Sequence, residues 1–161
     1  MPLVQVEIPI AAPPEASWRA VVDVESYPGC MDSVRSVTVV EQSGADERTT
    51  AWSVFLKGSQ LEWVEAERLD HTARRFDFHQ VSGDLAHFVG HWGVRPSEDG
   101  GSLVSLTVEF DIGIPLLAEM LNPVAATALR ENAEQMLHAL EQRLTGASGA
   151  SGTGAPGVSG S

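Results

Sequence analysis

The chain is short of cysteine, lysine and long apolar runs, and each shortage removes a class of protein. Cys30 is the single cysteine among 161 residues, so neither an internal disulfide nor a multi-cysteine metal site is available, and this usage fits a reducing compartment. Hydrophobic residues make up 43% of the sequence, yet no uninterrupted stretch approaches the roughly 20 apolar residues that cross a bilayer. No membrane segment is therefore expected. The start, Met1 to Val6, lacks a basic stretch followed by an apolar core, so no secretory signal is read and the expected location is the cytoplasm. Positive charge is scarce as well. Ten Lys and Arg stand against 22 Asp and Glu, a net charge of −12, which argues against general binding to nucleic acid or an anionic membrane. Lys57 is the one lysine; Arg68, Arg74, Arg75 and Arg95 lie close in sequence and form either a local basic patch or a set of solvated side chains. No Gly-x-Ser-x-Gly elbow, phosphate loop or dinucleotide fingerprint is present.

What is present is strong periodicity. Val4, Val6, Ile8 and Ile10 alternate as a first strand, and Ala12-Pro13-Pro14-Glu15 then opens a helix through Val22. A second short helix is expected from Glu25 to Met31. From Val34 the period becomes two, broken by turn signals at Ser43-Gly44-Ala45-Asp46, Lys57-Gly58, Asp70-His71-Thr72, Ser82-Gly83 and Asp99-Gly100-Gly101, which predicts six further strands joined as antiparallel hairpins. Asn122-Pro123 predicts the start of a long helix that runs to Leu144, with Gly146 just beyond it. The expected fold is α+β, a curved antiparallel sheet of seven strands packed on one long C-terminal helix, with two short helices after the first strand. One domain over residues 1–145 and a disordered Gly/Ser-rich tail over 146–161 are expected.

A sheet half covered by one helix encloses a cavity when its inward side chains are bulky but do not meet. Trp52 sits with Val54 and Leu56, Trp63 with Leu61, Phe88 with Ala86, Gly90 and Trp92, and Leu106 with Val104, Val108 and Phe110, each set on one strand face. On the last helix Ala125, Leu129, Asn132, Met136, Leu140 and Leu144 share a stripe. Asn132 is thus an uncharged polar residue turned inward, and it needs a partner in the backbone or in something held inside. His87 and His91 are too far apart on a strand, roughly 13 Å, to share a metal ion. No metal or other cofactor is expected.

The order strand, two helices, six strands, long helix resembles the helix-grip fold of the birch-pollen-allergen and START-type lipid-binding proteins. The segments APPEASWRAVVDVESYPGCM, LEWVEAERLD, GDLAHFVGHW, VEFDIGIP and ALRENAEQM, in that order, resemble the polyketide aromatase/cyclase family over residues 3 to 144. That resemblance implies pocket positions at Tyr27, Met31, Val34, Phe88 and Trp92, and places Arg130 and Asn132 on the Arg-x-Asn pattern of the last helix. Together with the facing sets above, it gives Met31, Val34, Trp52, Trp63, Phe88, Trp92, Leu106, Phe110 and Leu129 as substrate-binding candidates, and Arg68, Tyr27 and Asn132 as catalytic candidates. Leu106 and Val34 replace residues that are aromatic or phenolic in better-known cyclases, so this pocket offers fewer hydrogen bonds.

The implied activity is regiospecific intramolecular aldol closure and dehydration of a poly-β-ketone presented by an acyl carrier protein, in a monomer or homodimer. Arg68 would steady the developing oxyanion, with Tyr27 and Asn132 as hydrogen-bond donors. In a regular strand, however, Trp63, Glu65 and Glu67 share one face and Arg68 points away. A bulge returns Arg68 to the Trp63 side; without one, Glu67 is the inward residue. The alternative function is non-catalytic carriage of a quinone, lipid or aromatic metabolite, as in coenzyme-Q-binding relatives.

Overall fold

The computed structural model describes residues 2–56, 58–113 and 118–146. Seven strands, β1 (Leu3–Ile10), β2 (Val34–Ser43), β3 (Glu47–Leu56), β4 (Ser59–Asp70), β5 (Arg75–Gly83), β6 (His87–Pro96) and β7 (Ser102–Asp111), form one sheet in the order β1-β7-β6-β5-β4-β3-β2. Every neighbouring pair is antiparallel. The five hairpins from β2 to β7 follow from the short turn segments, while β1 reaches β7 because the chain between β1 and β2 is helical. With the long helix across its concave face, this is the helix-grip α+β fold.

The helix α1 (Pro14–Val22) starts with proline at its first position, where a missing N–H costs nothing. A 3₁₀ helix, Val24–Gly29, follows directly. Ser17 Oγ donates to Ser102 Oγ at 2.9 Å, and Ser102 Oγ donates to the Ala12 carbonyl at 2.6 Å, so α1 is tied to β7 by buried bonds.

The long helix α2 spans Ala118–Glu141 and closes in a π turn, Gln142–Gly146. It begins before the expected Asn122-Pro123 cap. Pro123 lies inside it, and Asn122 Oδ1 accepts from the Ile112 N–H at 3.3 Å instead of capping the helix. Proline is tolerated so near the start because few intrahelical bonds are lost there. The inward stripe is filled by Met136, Leu137 and Leu140, with Leu137 and Leu140 fully buried. Truncating such a leucine costs about 2–5 kcal/mol. Gly146 belongs to the π turn, and the rest of the expected disordered tail, 147–161, lies outside the described residues.

Both outer strands are met by side chains. Glu25 Oε2 accepts from the Val39 N–H of β2 at 2.9 Å, and Arg130 Nη1 donates to the Gln5 carbonyl of β1 at 3.0 Å.

Candidate functional site

Between sheet and α2 lies a cavity of about 60 Å³. Its walls are Trp52 and Val54 from β3, Trp63 and Glu65 from β4, Phe78, Phe88 and Trp92 from β5 and β6, Leu106 and Val108 from β7, and Leu129, Asn132, Ala133 and Met136 from α2. The half-buried Leu56, Leu61 and Leu85 complete the lining. The rings form a continuous belt. Trp52 and Trp63 stack with planes 4° apart and centroids 5.7 Å apart, and Trp63 meets Phe88 at 5.1 Å. Cross-strand pairing makes this stack, since Trp52 and Trp63 are register partners. The β5 end is shaped to clear it: Gly83, register partner of Trp63, has φ 151°, and a Cβ there would fall 2.4 Å from Trp63 Cβ. At roughly 10–15 Å³ per water, the space holds a handful of waters. A ringed ligand enters only if wall side chains swing aside.

Two polar groups face this apolar belt. On α2, the amide nitrogen of Asn132 donates, among the described residues, to a thioether, Met136 Sδ, at 3.4 Å, a weak acceptor for a good donor. On β4, Glu65 is 2% exposed and its carboxylate oxygen accepts from Trp63 Nε1 at 2.7 Å. Burial, then the hydrogen bond and charge of Glu67, hold the Glu65 carboxyl well above its ordinary range. Its environment thus favours the protonated form of the Glu65 carboxyl, at the wall of the cavity.

One register step deeper lies an ion pair. Arg48 on β3 is the partner of Glu67 on β4, and Arg48 Nε donates to Glu67 Oε1. Their side chains are 9% and 0% exposed. Thr50 Oγ1 donates to Glu67 Oε2 at 2.7 Å and itself accepts from Trp52 Nε1 at 2.8 Å. Arg48 also lies over the Phe76 ring at 5.7 Å. Its Nη2 is buried with no hydrogen-bond partner among the described residues.

The expected site residues separate into two groups. Trp52, Trp63, Phe88, Trp92, Leu106, Leu129 and Asn132 line the cavity. Met31, Val34 and Phe110 are buried core residues that do not line it. Tyr27 is fully buried, but its hydroxyl donates to the Val21 carbonyl, and its ring packs behind the wall against Trp52 and Trp92. Burial, with the Glu67 charge next, pushes its phenol well up, so it stays protonated and committed to the backbone.

Arg68 is placed outside. Its side chain is 78% exposed, 3.9 Å from Glu47. The bulge that would have turned it inward lies on the opposite strand: Val64 pairs with Ser82 and Glu65 with Gln80, leaving Val81 of β5 as the extra residue. β4 runs in unbroken register against β3, so Glu67 takes the inward position and Arg68 the outward one. The cluster of arginines is also not a free basic patch. Arg74 pairs with Glu15, Arg75 with Asp77 and Arg95 with Glu7. On the outer face, His87 meets Glu109, and His91 is pushed down by burial and then by Arg75.

Sequence reasoning missed Arg48, and it set Glu65 on the Trp63 face without naming it as a site residue. Both were within reach of the alternation: Arg48 and Thr50 have the parity of Trp52 and Val54, and Glu65 that of Trp63.

The model of the "polyketide cyclase / dehydrase and lipid transport" family matches residues 10–137. The chain belongs to this family. Among curated proteins, it is 28% identical over 107 residues to the granaticin polyketide synthase bifunctional cyclase/dehydratase of Streptomyces violaceoruber, covering 65% of this chain and 33% of that protein. The cyclase-family chain described here thus spans about a third of that relative's length. Among solved structures, a Thermus thermophilus protein is 31% identical with a TM-score of 0.84, covering 91% of this chain and 99% of that one. The Zhui aromatase/cyclase of Streptomyces sp. R1128 shares the fold at 20% identity, TM-score 0.75, over 92% of this chain and 98% of its own. Among the described residues, no helix is long and apolar enough to cross a membrane.

Proposed function

We propose that this member of the cyclase/dehydrase family is a polyketide aromatase/cyclase, closing and dehydrating a poly-β-ketone inside the cavity. The observation that carries the reading is the buried carboxyl of Glu65, set into an aromatic wall that also holds the donor of Asn132. Aldol closure needs a folded chain and a proton source where oxyanion charge develops. In this scheme the Trp52, Trp63 and Phe88 rings bend the chain. Carbon–carbon bond formation moves charge onto the attacked carbonyl oxygen. Glu65 gives that oxygen its proton and regains one from the enol hydroxyl of the attacking unit. An α-proton and the new hydroxyl then leave as water. Asn132 Nδ2 donates to a neighbouring carbonyl and fixes which carbons meet. The function assigned to an inward Arg68 thus passes to Glu65, with Arg48 and Glu67 steadying it from behind.

The substrate would arrive on an acyl carrier protein in the cytoplasm. The test is the product profile of a minimal polyketide synthase with and without the protein, read by liquid chromatography and mass spectrometry. Convergence of many shunt products on one dehydrated ring system is expected, and its loss in Glu65→Gln. An unchanged profile with folded wild-type protein would leave carriage of a quinone, lipid or aromatic metabolite as the function.

A further inference from the structure

The polar end of the cavity has an unusual charge order, and it bears on which ligands can enter. The inner-face residues of β4 run Leu61, Trp63, Glu65, Glu67, and those of β3 run Leu56, Val54, Trp52, Thr50, Arg48. The lining stops at Glu65 and Trp52. A ligand in the cavity meets Glu65 at its wall, while the Arg48 guanidinium lies a step beyond, bonded to Glu67. We propose that the cavity selects uncharged ligands that present a carbonyl oxygen to Glu65, and turns away carboxylates such as free fatty acids.

Three observations support this. First, the nearest cation, Arg48, already has a carboxylate partner with no exposure on its side chain, so an entering anion would compete with Glu67 for it. Second, among the described residues the other ionisable groups that act on Glu65 or face it are Glu67 and, behind the wall, the Tyr27 phenol; the described lining residues of α2 include Asn132 and no cation. A ligand carboxylate would therefore lose its hydration without gaining a counter-charge. Third, the Glu65 carboxyl is held toward its protonated form, and the proton it shares with Glu67 can turn to a carbonyl acceptor at the wall.

The inference deepens the proposed function and relies on it only for the cavity being the ligand site; it needs no turnover to be tested. Two compounds of nearly the same shape serve, 2-acetylnaphthalene and 2-naphthoate, titrated into the full-length protein by calorimetry at pH 7.5. The ketone is expected to bind, and the carboxylate at least tenfold more weakly. The Glu65→Gln, Glu67→Gln double variant leaves Arg48 as the one charge of the network, and there the preference should invert. Equal affinities in the wild type, or no binding of the ketone, would overturn the proposal. Should the double variant not fold, raising the pH in the wild type substitutes for it: ketone affinity should fall as Glu65 ionises, and a pH-independent affinity would count against the idea. Selectivity without any change in polyketide products would keep this inference and remove the cyclase reading.

Discussion

Replacing Glu65 by glutamine preserves its size and removes one titration, which makes it the sharpest perturbation of the site. In the folded chain the Glu65 carboxyl holds its proton well above the ordinary glutamate value of 4.5 because it is buried beside Glu67. The unfolded chain releases that proton near the ordinary value. Between the two points the native state binds more protons than the unfolded state, so Glu65 costs stability progressively as pH rises. Each pH unit over which the residue is neutral when folded and ionised when unfolded costs about 1.4 kcal/mol. Glu65→Gln removes this slope while keeping an acceptor for Trp63 Nε1. Carboxylates remote from Glu65 titrate alike in both proteins and cancel in the difference, while Glu67 changes with its neighbour. Urea denaturation of both, repeated from pH 5 to 8, should give a variant that gains on the wild type as pH rises, by up to about 1.4 kcal/mol per unit. Difference curves that stay flat, or that slope the other way, would show that Glu65 is ionised in the folded protein. The acid–base role and the preference for neutral ligands would then both fall.

Other outcomes follow from the same geometry. Arg48→Met strands a buried carboxylate and should cost about 3–5 kcal/mol; adding Glu67→Gln should restore at least half of that in urea denaturation, and a purely additive loss would mean the pair is not coupled. Arg68→Ala, at an exposed position, should change stability by no more than about 0.5 kcal/mol and leave the product profile intact; loss of the main product would put Arg68 back in the site. Tyr27→Phe should cost about 1–2 kcal/mol by leaving the Val21 carbonyl unpaired, with turnover per folded molecule unchanged. A large drop in turnover would mean that the hydroxyl leaves Val21 during the reaction.

Much of the fold is readable from period alone. The alternation from Val34 onward forces one face of each strand inward, and the stripe from Ala125 to Leu144 turns Asn132 toward the sheet. The site is less readable, for three physical reasons. A strand's facing is set by the pairing register, and a single extra residue reverses it; nothing in LEWVEAERLD tells which of two paired strands takes the bulge, and here Val81 on β5 absorbs it. A side chain's placement also does not fix its partner. Tyr27 is inward, yet the 3₁₀ turn after α1 brings its hydroxyl to a carbonyl six residues earlier. Buried acids were the third obstacle. An expectation that cations steady oxyanions drew the eye to arginine, while Glu65 owes its chemistry to the loss of water around it.

The two capped edges bear on how this fold can be used in larger proteins. A sheet with bare borders invites another strand, from a neighbouring copy or from a second unit on the same chain. Here the Glu25 carboxylate occupies the β2 border at Val39, and Arg130 occupies the β1 border at Gln5. In two such units fused head to tail, a strand adding at either border would have to displace one of these contacts. Duplication and fusion of this fold would then leave each copy's interior free to diverge.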